Sequence, residues 1–252
     1  MRNWTYKIYL LLIFMIILST CYSKEKLDVI VLDAGHGGKD PGTIGLSVVK
    51  EKDINLAVAL KLGELIKGTY PEIKIIYIRD RDEYIEVKER TITANKSKAK
   101  LFISIHANHK KQEETEKNGF EIYVLNRERF PEAVEITLKE NSVLQYQQSG
   151  NDTTDKFIFS SLARNSYLVH SQILCSMLEL NLISSTELAS RGIFQSGFWV
   201  LLGASMPSVL IECGYLSDAN DEKYLSSEIG QNNIARALLN AFVRYKMIYE
   251  ME

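Results

Sequence analysis

Two histidines and two glutamates lie where predicted elements of an α/β sheet end or begin, which is where such sheets bind their ligands. His36, His106 and Glu212 each follow a short apolar strand, and Glu51 opens a helix. Two imidazoles and one carboxylate on a zinc ion leave a fourth position for water, whose pKa the metal lowers. A second glutamate that does not bind the metal can take up the water proton. These groups are consistent with metal-assisted amide hydrolysis, although their spacing alone does not single out that reaction.

The elements that must position these residues alternate along the chain. Short apolar, β-branched runs predict buried strands, and apolar residues at helical spacing predict helices. The predicted strands are 29–32, 73–78, 101–105, 119–125 and 209–211, and the predicted helices are 51–66, 85–98, 131–141, 157–182, 217–225 and 229–249. This alternation predicts a single α/β domain with a mainly parallel central sheet flanked by helices on both faces.

Other polar residues are expected to lie away from this chemistry. The predicted helix 85–98 carries Arg90 on a mostly polar face that we expect to be solvated. His109 stands three residues after His106, and on an extended segment that step turns its side chain to the opposite face. Cys175 and Cys213 lie in apolar surroundings, which favours buried free thiols over a disulfide.

Residues 1–20 have the order of a secretory signal. Arg2 and Lys7 supply positive charge, residues 8–18 form an unbroken apolar run, and small and polar residues follow. The apolar run is shorter than a transmembrane helix usually requires. We therefore expect the chain to be exported.

The end of this segment also resembles a bacterial lipobox, in which a cysteine becomes the lipidated first residue of the mature protein. Cys21 takes that position, while Thr20 departs from the usual Gly, Ala or Ser. The alternatives are a plain cleaved signal and an uncleaved anchor. The predicted organisation is then a short linker over 21–27 and one folded domain over 28–252.

Five stretches, in the same order along the chain, resemble the zinc-dependent N-acetylmuramoyl-L-alanine amidases of the cell-separation type, the amidase-3 family. They are 32–42, 51–56, 104–108, 191–195 and 206–217, and the likeness runs from about residue 28 to residue 245. The resemblance implies Zn²⁺ as cofactor, with His36, Glu51 and His106 as its ligands and Glu212 as the catalytic residue. Cys213 and Tyr215 stand where other small or apolar residues are frequent in the family, and we expect them not to touch the proposed chemistry.

The resemblance also implies a substrate and partners. The reaction would cleave the amide bond between N-acetylmuramic acid and the L-alanine of the peptidoglycan stem peptide, in wall remodelling or daughter-cell separation. That substrate fits an exported, periplasmic protein held at the membrane through a lipid anchor. The formal charge of −2 gives no reason to expect nucleic acid as a partner.

Residues 130–156 stand where amidases of this type can carry a regulatory insertion that an activator protein displaces. Glu135 and Glu140 are the acidic side chains that would approach the metal, and the alternative is an ordinary surface helix and loop. Two other functions are alternatives to the amidase function. One is a non-catalytic envelope lipoprotein that binds peptidoglycan, and the other is a zinc peptidase that acts on stem peptides.

Overall fold

The computed structural model describes residues 25–110, 118–125 and 167–251. The predicted signal segment, Cys21 and the predicted insertion at 130–156, with Glu135 and Glu140, lie outside these residues. No helix in the described part of the chain combines the length and the apolar character that are needed to cross a bilayer.

The described residues include six strands and five helices. In chain order they are β1 (Val29–Ala34), α1 (Glu51–Thr69), β2 (Lys74–Tyr77), α2 (Val87–Lys96), β3 (Leu101–Asn108), β4 (Phe120–Leu125), α3 (Leu168–Ser185), β5 (Ser190–Ser196), β6 (Ser208–Tyr215), α4 (Ala219–Ser226) and α5 (Glu228–Tyr249). The predicted alternation of strands and helices is confirmed.

The strands form one sheet in the order β2-β1-β3-β6-β4-β5. The pairs β1–β2, β1–β3, β3–β6 and β4–β5 are parallel, and only β4–β6 is antiparallel among the described strands. The carboxyl ends of β1, β3 and β6 therefore meet at the same edge of the sheet as the amino ends of β4 and β5. We call this edge the catalytic edge, because all four predicted site residues lie there.

Helices cover both faces of the sheet, as predicted. On one face, α1, α3 and α5 bury a large core that alternate strand residues fill, such as Ile30, Ile103 and Ile211. On the other face, α2 and the segment 198–206 cover a smaller core around Phe102 and Leu210. Burying each such side chain stabilises the fold by about 1.5–3 kcal/mol.

The structure differs from the prediction in two respects. Strand β5 was not predicted, because its sequence of Ser, Arg, Gly and Gln has little apolar alternation and it lies at the edge of the sheet. The expected solvated face of α2 was wrong for Arg90, whose side chain is buried. Cys175 and Cys213 are buried free thiols, and His109 is exposed, as predicted.

Candidate metal centre

The structure brings His36, Glu51 and His106 together at the catalytic edge. One nitrogen or oxygen atom from each lies within 4.8 Å of the others, and all three side chains are buried. His36 Nε2 and His106 Nδ1 each lie 3.0 Å from Glu51 Oε1. The imidazole rings meet edge to face, with their centroids 4.9 Å apart. Two imidazoles and a carboxylate in this arrangement could hold a metal ion.

Glu51 is held as a carboxylate by its surroundings. It is the first residue of α1, and the backbone N–H groups of Thr43 and Ala107 donate to it over 2.8 and 3.1 Å. Burial raises the pKa of Glu51, but the charge and hydrogen bonds of His36 and His106 outweigh burial and hold that pKa well below its ordinary value. The charge of the carboxylate is therefore available to a cation.

The glycine loop places the His36 ring. The backbone of His36 is left-handed, with φ of 60°, and its Nδ1 lies 2.8 Å from Asp40 Oδ2. A proton on Nδ1 that is donated to Asp40 leaves Nε2 as the ligand atom, which is how metal-binding histidines are usually oriented. At Gly35 a Cβ atom would lie 2.3 Å from the ring of His106, so this position requires glycine.

Two buried arginines hold the backbone of this loop. Arg79 donates to the carbonyl oxygens of Ala34, Gly35 and Lys52 over 2.7–2.9 Å. Arg90 donates to the carbonyl oxygen of His36 over 3.0 Å and forms an ion pair with Asp33 at 2.7 Å. The arginines therefore join the loop to the start of α1 and to α2. Sequence reasoning missed both, because each stands among polar residues that resemble a solvated surface.

Glu212 is fully buried on β6, next to His106. These two residues are paired across parallel strands, and strands in a sheet are about 4.8 Å apart. On its other side, Glu212 is paired with Glu121 of β4. A second carboxylate thus lies one strand away from the cluster, where the proposed chemistry requires a base.

Glu121 was also missed by sequence reasoning. Its carboxylate accepts hydrogen bonds from Asn108 Nδ2, Tyr123 Oη and Tyr215 Oη over 2.8–2.9 Å. Tyr215 takes part in this network because a register shift between β3 and β6 brings it opposite Asn108. A paired glutamate without a motif of its own gives no signal in the sequence.

Comparisons with known proteins agree on one family. The sequence model of the N-acetylmuramoyl-L-alanine amidases matches residues 30–244. A putative N-acetylmuramoyl-L-alanine amidase of Buchnera aphidicola is 31% identical over 86% of this chain and 95% of its own length. The amidase AmiC of Escherichia coli is 27% identical over 88% of this chain and 54% of its own length.

Two solved structures share the fold. The catalytic domain of CwlV, an N-acetylmuramoyl-L-alanine amidase of Paenibacillus polymyxa, has 30% identity and a TM-score of 0.66, covering 86% of this chain and 97% of its own. The CwlD amidase of Clostridioides difficile, solved in complex with the GerS lipoprotein, has 26% identity and a TM-score of 0.66, covering 88% of this chain and 99% of its own.

Proposed function

The chain belongs to the N-acetylmuramoyl-L-alanine amidase family and is a peptidoglycan hydrolase, and we propose that it works as a zinc enzyme with Glu212 as its general base. The observation that carries this proposal is the buried cluster of His36, Glu51 and His106, one strand away from Glu212. Two nitrogen donors and one carboxylate oxygen are a common ligand set of catalytic zinc, with a fourth position open to water.

In the proposed reaction, each residue has a separate task. His36, Glu51 and His106 hold the ion, and Asp40 fixes the ring of His36. The chemistry that a bound zinc supplies is a lowered pKa of water and a polarised substrate carbonyl. Glu212 accepts a proton from the attacking water and returns it to the nitrogen of the leaving L-alanine. The amide bond between N-acetylmuramic acid and L-alanine is thereby hydrolysed.

We expect His36→Ala and His106→Ala to abolish both zinc binding and turnover, because each removes one of three protein ligands. Metal content is measured by mass spectrometry of the purified protein, and turnover by digestion of purified peptidoglycan. His109→Ala is the matched control, since this histidine is exposed and stands three residues beyond His106. If either ligand variant keeps full zinc content and turnover, the ligand assignment is wrong.

The same digest separates the competing functions. An amidase releases peptides whose new amino end is L-alanine and leaves the lactyl carboxylate on the glycan. A peptidase on stem peptides produces new amino ends at other residues. A binding protein without activity produces no new ends.

We also propose that Cys21 is the lipidated first residue of the mature protein. The lipobox-like sequence supports this, and so does a substrate that lies outside the cytoplasm. A multiply acylated cysteine anchors a protein stably, whereas one acyl chain binds membranes only marginally. Mass spectrometry of the mature N-terminus in the native host decides the question: a lipid-modified Cys21 is expected, and an unmodified end at Tyr22 or beyond contradicts it.

We propose that a partner protein regulates the enzyme and that residues 130–156 are the regulatory segment. The relative CwlD was solved in complex with the GerS lipoprotein, which supports a partner. The sequence of the segment and its position between β4 and α3 support the second part. Glu135 and Glu140 are the side chains proposed to approach the metal.

A further inference from the structure

An exposed arginine stands at the end of the row of strand residues that contains the catalytic groups. His106 is paired with Glu212, and Glu212 is paired with Glu121. Next to β4, which carries Glu121, lies β5, the last strand of the sheet. The row therefore leads from the metal cluster toward β5 in steps of about 4.8 Å.

Strand β5 has a bulge at this row. The register between β4 and β5 shifts there, so that Arg191 and Gly192 of β5 both stand opposite the single residue Glu121. Gly192 has φ of 115°, a conformation that favours glycine. Bulges of this kind redirect side chains and are common beside active sites. Arg191 directly follows Ser190, the partner of Phe120, and so stands level with Glu121, on the row that contains Glu212.

The charge of Arg191 reaches this row from an exposed position. Burial raises the pKa of the Tyr215 hydroxyl and the Glu121 carboxylate raises it further, while Arg191 acts in the opposite direction. The register places Arg191 opposite Glu121, the residue whose carboxylate the Tyr215 hydroxyl binds. Arg191 is exposed, and it forms no ion pair with any carboxylate of the described segments.

We propose that Arg191 binds a carboxylate of the stem peptide and so makes the enzyme prefer acidic stem peptides; this inference rests on the proposed function. From Glu212 to β5 is about two strand spacings, or roughly 10 Å, which an extended peptide covers in about three residues. A guanidinium pairs with a carboxylate through two parallel hydrogen bonds, and this geometry favours a carboxylate over a carboxamide. Glu121, the residue opposite Arg191, already accepts three hydrogen bonds from other side chains.

The test compares two synthetic substrates on the zinc-loaded full-length protein. Each substrate is a tripeptide whose first residue, L-alanine, is joined through its nitrogen to N-acetylmuramic acid. One peptide has free carboxylates at its second and third residues, and the other has carboxamides there. We expect Arg191→Ala to lower kcat/KM for the acidic peptide about 10–100-fold, the usual effect of losing hydrogen bonds to a charged group. The carboxamide peptide should change by less than about 2-fold, because it makes no such charged pair. For Arg191→Lys, kcat/KM on the acidic peptide should lie between the values of the wild type and Arg191→Ala, since lysine keeps the charge but cannot form two parallel hydrogen bonds.

Arg236→Ala is the matched control, because Arg236 is an exposed arginine on α5, among the helices of the opposite face. It should leave both peptides unchanged. If Arg191→Ala lowers kcat/KM equally for both peptides, or does not lower it for the acidic peptide, the inference is overturned. Either result leaves the amidase assignment unaffected. If Arg191→Ala does not fold by circular dichroism, the ratio between the peptides in Arg191→Lys decides. Wild-type protein that is loaded with zinc and cleaves neither the peptides nor peptidoglycan would overturn the proposed function, and the inference with it.

Discussion

At the scale of single residues, the surroundings of two glutamates suit the different roles that we propose for them. Glu51 lies between two imidazoles and accepts backbone hydrogen bonds, which suits a ligand that must stay ionised. Glu212 lies one strand away, beside Glu121. The two side chains are chemically identical, so their positions relative to His36 and His106 are the basis for proposing Glu51 as the ligand and Glu212 as the base.

Replacement of the proposed base tests this division of roles. Glu212→Gln keeps the size of the side chain and removes its ability to accept a proton. We expect zinc content to stay near the wild-type level while turnover falls about 10²–10⁴-fold, the usual contribution of a positioned general base. Turnover is measured on peptidoglycan, and Glu187→Gln, at an exposed glutamate, is the control. A Glu212→Gln variant that loses its zinc would identify Glu212 as a ligand.

The sequence allowed prediction of the residues that meet at the catalytic edge, but not of those that hold them. His36, His106 and Glu212 could be predicted to converge, because each follows an apolar strand and parallel strands end at one edge. Asp40 and Glu121 act through hydrogen bonds to residues on the loop and on three strands. Such contacts depend on register and on bulges, which hydrophobic periodicity does not report.

At the scale of elements, the loop between β1 and α1 is held from outside by charged side chains. Its left-handed residues include His36, whose conformation is uncommon for any residue except glycine. The guanidinium groups of Arg79 and Arg90 bind its carbonyl oxygens, and Ser104 Oγ and Arg90 share the carboxylate of Asp33. These side chains therefore hold the loop to both α1 and α2.

Arg90→Met should destabilise the protein strongly, because the methionine leaves the carboxylate of Asp33 buried without its cation. Removing one partner of a buried ion pair costs about 3–5 kcal/mol in the free energy of unfolding. Urea denaturation followed by circular dichroism measures this change. Arg81→Ala, at a side chain that is 72% exposed, should change the free energy by less than about 0.5 kcal/mol. Equal stability of the two variants would show that the Arg90 pair does not hold the loop.

At the scale of the whole molecule, the sheet separates the catalytic edge from the first residues that the structure describes. Glu25 lies with Lys100 and Pro207, which precede β3 and β6, around a cavity of about 280 Å³ at the opposite edge. Leu27, two residues further along, is fully buried. Cys21 precedes Glu25 by four residues in the sequence, so a lipid there, as proposed, would anchor the chain nearer the opposite edge than the catalytic edge.

The same geometry restricts how residues 130–156 could regulate the enzyme. Leu125 ends β4, and Tyr167 lines the cavity at the edge opposite to the metal cluster. The chain between them would have to run the length of the sheet, roughly 20 Å for strands of six residues, to reach the metal. A chain of this length allows that path, and such a covering segment would compete with substrate for the catalytic edge.

Deletion of residues 132–156, bridged by a short Gly-Ser linker, should therefore raise basal activity on peptidoglycan in the absence of any partner. The physical reason is that a segment over the cleft must be displaced before substrate binds, and its removal abolishes that cost. Glu135→Gln with Glu140→Gln keeps the segment and removes only the carboxylates, so this double variant should raise activity as well if they approach the metal. Activity is the rate of release of peptides with L-alanine at the amino end, and circular dichroism confirms folding. A folded deletion variant with unchanged or lower activity would contradict autoinhibition and identify the segment as scaffold or substrate-binding surface.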